Sequence, residues 1–280
     1  MKIIDSHQHF WKYDPVSYAW IDDTMKVIQK DFLPSDLKPI LEKNRVDGTI
    51  AVQADQSLNE TRFLLDLAKK NNLVKGVVGW IDLKGDNLEN ELNEFRDEEL
   101  LVGFRHIVQG ESDPLFMLDQ RFRKGLEIIF ERGYSYDILI YPHQLISALE
   151  LIKLYPEQSF VIDHIAKPYI KLGYIDGWAA LINEIAQYEQ VYCKLSGMIT
   201  EADWKDWSAE DIKPYLDIVC ESFKSDRLMF GSDWPVALVA GTYSQVLESL
   251  MEYMENWDLE DQKNILSRSA EEFYLKNINE

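Results

Sequence analysis

Two histidines one residue apart open the first apolar run of the chain, in Ser6-His7-Gln8-His9, and a third, His164, closes Val161-Ile162-Asp163-His164. A carboxylate, Asp233, stands in Phe230-Gly231-Ser232-Asp233-Trp234-Pro235. Imidazole nitrogens and carboxylate oxygens are ligands for a borderline divalent ion, and they are also the usual proton carriers of hydrolysis. Positions i and i+2 of a strand share a face, so His7 and His9 project together. Where His164 and Asp233 join them, three imidazoles and one carboxylate suffice for one divalent metal, most naturally Zn²⁺, with a position left for water. Without a metal the same groups still make a site, in which Asp233 activates water directly and the imidazoles donate to a carbonyl. The other two of the five histidines, His106 and His143, fall at or just beyond the ends of further apolar runs. One histidine in such a place is an ordinary loop residue. Five placed this way argue for catalysis over an interaction scaffold.

These residues must be held by something regular. Eight β-rich apolar runs recur, at 2–10, 48–54, 74–81, 100–108, 134–141, 159–164, 190–196 and 226–233. Each is followed by a stretch with apolar residues at helical spacing. Phe122, Leu126 and Ile129 make one such stripe, stopped by Gly133, and Leu145, Leu149 and Ile152 another, stopped by Pro156. Eight βα units without a linker or charge block predict a closed (β/α)8 barrel, one domain over residues 1–280, rather than a doubly wound sheet. Irregular segments at 11–34 and 197–208 then follow strands, on the face where such barrels do their chemistry. The stretch 258–276 reads as two more helices that cover the barrel or complete its outer ring. The second opens with Ser269 as N-cap and Glu272 three residues on.

Composition excludes several roles. The 280 residues are 46% hydrophobic and 28% charged, and 49 acidic against 29 basic residues give a net charge of −20. Such a field repels nucleic acid and acidic lipid surfaces. No run approaches the ~18 apolar residues of a membrane span. Two cysteines, Cys193 and Cys220, and an opening that reads as a strand rather than a secretory leader point to a reducing cytoplasm. The expected partner is a small-molecule substrate. No heptad or exposed apolar stripe specifies an oligomeric state.

Asp5-Ser6-His7-Gln8-His9-Phe10-Trp11, Asp163-His164-Ile165-Ala166-Lys167-Pro168, Lys194-Leu195-Ser196-Gly197 and Phe230-Gly231-Ser232-Asp233-Trp234-Pro235 together resemble the amidohydrolase-2 branch of the amidohydrolase superfamily, in particular its sugar-lactone hydrolases of the L-fuconolactonase and L-rhamnonolactonase types. The resemblance spans most of the chain in the right order. It implies a (β/α)8 barrel and places the catalytic centre on His7, His9, His164 and Asp233. It also implies a role in sugar-acid catabolism. Members of the family use one divalent ion or none, so the resemblance leaves the cofactor open. Binuclear relatives bridge two metals with a fourth-strand carboxylated lysine or glutamate. Here that run carries Arg105 and His106, and at most one metal is expected.

Opening a lactone needs an activated water, a polarised carbonyl and a proton for the leaving ring oxygen. A single metal supplies the first two. Asp233 is the expected general base turned general acid, and His106, Lys167 and Lys194 are the candidates for stabilising the oxyanion. Of nine arginines only Arg105 falls near the C-terminal end of a predicted strand, where a dicarboxylate substrate calls for several bidentate clamps. A neutral, hydroxyl-rich lactone is therefore expected. Besides Arg105, the candidate substrate contacts are Gln8, Gln53, Gln109, Tyr141, His143, Glu201, Trp80, Trp204 and Trp234; His143 serves equally well as a helix-initiating residue after Pro142. The alternative is a metal-dependent decarboxylase of an aromatic or unsaturated acid, with Arg105 on the carboxylate.

Overall fold

A computed structural model describes residues 1–276. Its strands are β1 (Ile4–Gln8), β2 (Gly48–Val52), β3 (Val74–Gly79), β4 (Leu101–His106), β5 (Ser135–Ile138), β6 (Phe160–Ile162), β7 (Val191–Leu195) and β8 (Leu228–Phe230). All seven successive pairings are parallel and in chain order. The eighth seam closes at the C-terminal ends of β1 and β8. There Gln8 and Trp234 form a parallel bridge, the His9 amide donates to the Trp234 carbonyl at 2.7 Å, and the Asp233 amide donates to the His7 carbonyl at 2.8 Å. The (β/α)8 barrel is thus latched at the end that carries the histidines.

The outer ring is α1 (Pro34–Asn44), α2 (Leu58–Lys70), α3 (Leu88–Glu94), α4 (Gln120–Glu131), α5 (Leu145–Leu154) and α6 (Asp176–Ile185), then the short α7 (Met198–Glu201), α8 (Ala209–Phe223) and α9 (Tyr243–Tyr253). The α4 stripe of Phe122, Leu126 and Ile129 is fully buried, and Gly125 lets the helix ride against the Leu83 backbone, where a Cβ would meet the Leu83 carbonyl at 2.0 Å. The chain leaves α4 through Gly133 at φ +82, a conformation that suits glycine. Segment 11–33 is irregular but tied down. Trp11 and Phe32 exchange backbone hydrogen bonds at 2.9 and 3.0 Å, the Tyr18 hydroxyl donates to Glu60 at 3.2 Å, and the Trp20 indole donates to the Ala54 carbonyl at 3.0 Å.

Two expectations need correction. His164 and Asp233 do not lie on strands, because β6 ends at Ile162 and β8 at Phe230, and both residues have left the ladder at φ +53 and +56. Nor is Ser269 an N-cap. The segments α10 (Leu259–Lys263) and α11 (Ser269–Tyr274) join through a π-helical turn at Asn264–Arg268 with helical torsions throughout the junction. The Ser269 hydroxyl reaches the carbonyls of Ser225 and Asp226 at 3.2 and 3.1 Å, so tertiary partners took the group that a capping box would have used. This rod does cover the barrel. Ala270, Tyr274 and Leu275 pack on Ile4, Ile50, Val52, Val78, Val161 and Met229, the apolar floor of the interior. No helix among the described residues is long and apolar enough to cross a membrane.

Candidate active site

Parallel strands buried on both faces read as apolar runs, so charges inside them are exceptions. Arg105 on β4, Asp137 on β5 and Lys194 on β7 are three, and Asp163 follows β6 directly. They meet inside the barrel above its apolar floor. Lys194 Nζ lies 2.6 Å from Asp137 Oδ2 and 3.0 Å from Asp163 Oδ1, and Arg105 Nη1 lies 2.9 Å from Asp163 Oδ2. Pairing is compulsory, since an uncompensated buried charge costs several kcal/mol. Burial raises Asp137 to about 6 against the pull of Lys194. Burial also acts to raise Asp163, but Lys194, His7 and Arg105 outweigh it and hold that carboxyl well below the usual range. Arg105 spends all five N–H donors inside the protein. Nε and Nη2 bind the Gln53 side chain at 3.2 and 2.9 Å, Nη2 also meets the Gln53 carbonyl, and Nη1 faces Asp163 and His7 Nε2 at 2.9 and 3.2 Å.

The histidines stand on this layer. A register shift in β1 between Asp5 and Gln8 accompanies the inward placement of His7. His7 Nδ1 is 3.1 Å from Lys194 Nζ and 3.4 Å from Asp163 Oδ1. His9 Nδ1 donates to the Val52 carbonyl at 2.7 Å, which leaves Nε2 facing Asp233 Oδ1 at 3.3 Å. His164 Nδ1 pairs with Ser196 Oγ at 2.8 Å, and its Nε2 is 3.9 Å from Asp233 Oδ1, as is that of His7. His164 opens a left-handed turn. Ile165, Ala166 and Lys167 continue it at φ +49, +58 and +47. Each such non-glycine residue costs roughly 1–2 kcal/mol, so packing must impose the turn. Ile165 and Ala166 are fully buried, and the Trp178 indole donates to the Ile165 carbonyl at 2.8 Å.

Asp233 is the point of convergence. Burial acts to raise its pKa, yet His164, His9 and Lys167 hold it below the ordinary value. His164 moves the other way, lowered by burial to about 4, and burial takes His7 well below its usual value. The centre therefore presents the neutral imidazoles of His7 and His164 beside an ionised carboxylate. Asp233 Oδ1 is buried and has no hydrogen-bond partner among the described residues. His7, His164 and Asp233 each offer one ligand atom within 4.8 Å of the others. An orphaned carboxylate oxygen among imidazoles whose far nitrogens are already held fits a divalent cation. His9 stands outside that tightest group, against Asp233.

The other predicted residues divide into three places. At the rim, Lys167 Nζ pairs with Glu201 at 3.1 Å and lies 5.6 Å from the Tyr141 ring centroid, and the exposed His143 stacks on Tyr141 at 6.3 Å. Burial acts to lower Lys167, but Glu201, Tyr141 and Asp233 outweigh it and raise its pKa, so it remains an ammonium. Beside the rim, His106 Nε2 meets Glu111 at 2.7 Å, its Nδ1 accepts from the Trp80 indole at 3.3 Å, and its ring stacks on Phe116. Burial lowers its pKa. The third place is the interior, which changes several expected roles. Lys194 and Arg105 lie beneath the histidines, saturated by carboxylates and Gln53, so neither has a free donor for substrate. Trp234 is wedged edge-on between Phe10 and Phe32, 1% exposed, which is core packing. Gln8 is fully buried, whereas Gln109 and Trp204 lie half-buried in loops after strands, the first with its side-chain oxygen buried and the second with its indole held by the Thr200 carbonyl at 2.8 Å.

Sequence reasoning missed Asp137, Asp163, Ser196 and Tyr274. A usable signal existed for the first, a carboxylate within the strand Ser135–Ile138, where burial requires a cation or hydrogen-bond donors to satisfy it.

A (β/α)8 barrel with imidazoles and a carboxylate gathered at the C-terminal ends of its strands is an enzyme architecture, with the site where barrels of this class place it. The chain belongs to the amidohydrolase family, which it matches over residues 4–275. It is 38% identical over 263 residues to the L-fucono-1,5-lactonase of Burkholderia multivorans, covering 90% of this chain and 88% of that one. A crystal structure of an amidohydrolase from Burkholderia multivorans with bound zinc superposes with a TM-score of 0.93 at 35% identity, covering 98% of this chain and 99% of that one. A Polaromonas dihydroxybenzoic acid decarboxylase with bound manganese shares the fold alone, with a TM-score of 0.68 at 14% identity over 99% of this chain and 97% of the other.

Proposed function

We propose that this protein hydrolyses a neutral sugar-type lactone, an aldonolactone such as L-fucono- or L-rhamnono-lactone, by water attack at the ring ester carbonyl. The relatives' activity supports the reaction class, and the saturation of Arg105 supports the neutral substrate. Four of its five donors are held by Gln53 and Asp163 and the fifth points at His7 Nε2, so the one arginine at the site has no pair of donors left to clamp a carboxylate. The same observation weighs against decarboxylation of an aromatic acid.

Asp233 acts first as the base. Its ionised carboxylate takes a proton from water as the oxygen attacks the carbonyl carbon, giving a tetrahedral oxyanion. His9 and His164, held through Nδ1 by Val52 and Ser196, present Nε2 toward the Asp233 carboxylate. Lys167, kept cationic by Glu201, donates toward the oxyanion from the rim. When the ring C–O bond breaks, Asp233 returns its proton to the leaving oxygen, and the product is the open hydroxy acid. When bound, a divalent ion such as Zn²⁺ would be held by His7, His164 and Asp233 with His9 alongside, and would supply Lewis-acid polarisation of the carbonyl and a lowered pKa for the attacking water.

The test is acid release from a panel of aldonolactones, followed with a pH indicator before chelation, after it, and after Zn²⁺ or Mn²⁺ is restored. Turnover of neutral lactones that is lost on chelation and regained with metal is the expected result. Turnover that survives rigorous metal removal keeps the lactonase and leaves Asp233 to activate water directly. Carbon dioxide release from unsaturated acids, with no lactone opened, overturns the reading.

A further inference from the structure

Tyr274 lies on α11, below the barrel floor and at the opposite end from Asp233, and no step above employs it. Its side chain enters the interior and is 4% exposed. The hydroxyl donates to Asp137 Oδ2 at 2.7 Å, the same oxygen that receives Lys194 Nζ at 2.6 Å. The Lys194 ammonium also sits 5.3 Å from the Tyr274 ring centroid, within cation–π range. From Lys194 the contacts continue to Asp163 Oδ1 at 3.0 Å and to His7 Nδ1 at 3.1 Å. Side chains from α11, β5, β7 and β1 therefore form one continuous chain from the floor to the imidazole beside Asp233. The second Asp137 oxygen has no hydrogen-bond partner among the described residues, so Lys194 and Tyr274 are what orient this carboxylate.

We propose that Tyr274 is a positioning residue for the reaction. By fixing Asp137 it sets Lys194 Nζ beneath His7 Nδ1, and so sets the aim of His7 at the centre. The helix that closes the barrel floor is on this account part of the catalytic support. A residue that merely sealed the floor would act through its ring, and the hydroxyl would be dispensable for turnover.

The kinetic arm rests on the lactonase reading; the spectroscopic arm does not. Tyr274→Phe keeps the ring, its packing and the cation–π contact while removing one donor. Expected is a kcat about tenfold lower with KM within about twofold, because a small misplacement of the catalytic groups slows chemistry more than binding. Asp137→Asn gives a similar loss, and the double variant loses no more than the worse single one, since the two act through one chain of contacts. In the folded protein without substrate, the ¹⁵N resonances of the His7 imidazole shift in Tyr274→Phe. An unchanged kcat, losses that multiply in the double variant, or unmoved His7 resonances overturn the proposal. If the wild type opens no lactone, the lactonase reading fails and the His7 resonances alone decide. If Tyr274→Phe does not fold, Asp137→Asn carries both readouts with the same expected outcomes.

Discussion

At the scale of single residues the proposed chemistry rests on one carboxylate group. Asp233 Oδ1 is buried, lacks a hydrogen-bond partner among the described residues, and lies 3.3 to 3.9 Å from three imidazole nitrogens. Asp233→Asn preserves volume and removes the proposed base. Lactone turnover should fall by about 10²–10⁴-fold while the thermal midpoint stays close to wild type, and a variant retaining a tenth of the activity would exclude Asp233 as the base. Lys167 is the one candidate for the oxyanion with a donor facing the rim, since Lys194 and His106 are already engaged. Lys167→Met should cost about 10²-fold in kcat. Glu201→Gln, which leaves the ammonium in place without its counter-charge, should cost less, and the order of the two losses in steady-state kinetics checks the assignment.

Elements set these residues' angles through backbone conformations that side-chain chemistry does not advertise. Gly197, after β7, has φ +63, and a Cβ there would stand 2.5 Å from His164 Nδ1, where Ser196 Oγ now binds. Gly197→Ala should therefore displace His164, lowering stability by roughly 1–2 kcal/mol from the backbone alone and cutting kcat at least about tenfold. Denaturant titration and kinetics on the same sample test both. Segment 11–33 is held at the mouth through Glu60, which accepts from the Tyr18 hydroxyl and from the Ala54 and Asp55 amides. Burial raises this carboxyl from its ordinary 4.5 to about 8, against those hydrogen bonds. Between these two values the folded chain holds a proton that the unfolded chain releases. Its stabilising contribution is complete below pH 4.5 and is lost as pH rises through 8. Urea midpoints should thus fall more from pH 5 to pH 8.5 in wild type than in Glu60→Gln, and equal falls would remove Glu60 as the cause.

For the molecule as a whole, a net charge of −20 surrounds a site with no free arginine. The field repels anionic substrates, and salt screens it over a Debye length of about 10 Å at 0.1 M. For a lactone carrying a carboxylate, kcat/KM should rise as ionic strength increases from about 0.01 to 0.3 M, whereas for a neutral lactone it should stay flat. A salt-dependent rate for the neutral compound would mean that charge in the site itself, not the field, governs capture. The same scale explains the buried ionic layer. Arg105, Asp137, Asp163 and Lys194 are tolerated because the closed barrel brings four separate strand ends within bonding distance of one another.

The sequence by itself determined the barrel and much of the candidate centre, because both are local signals. Apolar runs alternating with helical stripes predict βα units, and strand periodicity puts His7 and His9 on one face. The pairing of Lys167 with Glu201, the saturation of Arg105 and the descent of Lys194 beneath the histidines were decided only by tertiary structure, since each depends on partners from other strands. So was the helical continuity through Ser269, where the carbonyls of Ser225 and Asp226 took the hydroxyl that a cap would have used. Periodicity states which face a side chain takes, but whether a charge there meets substrate or a buried counter-charge depends on what the rest of the chain brings within about 3 Å of it.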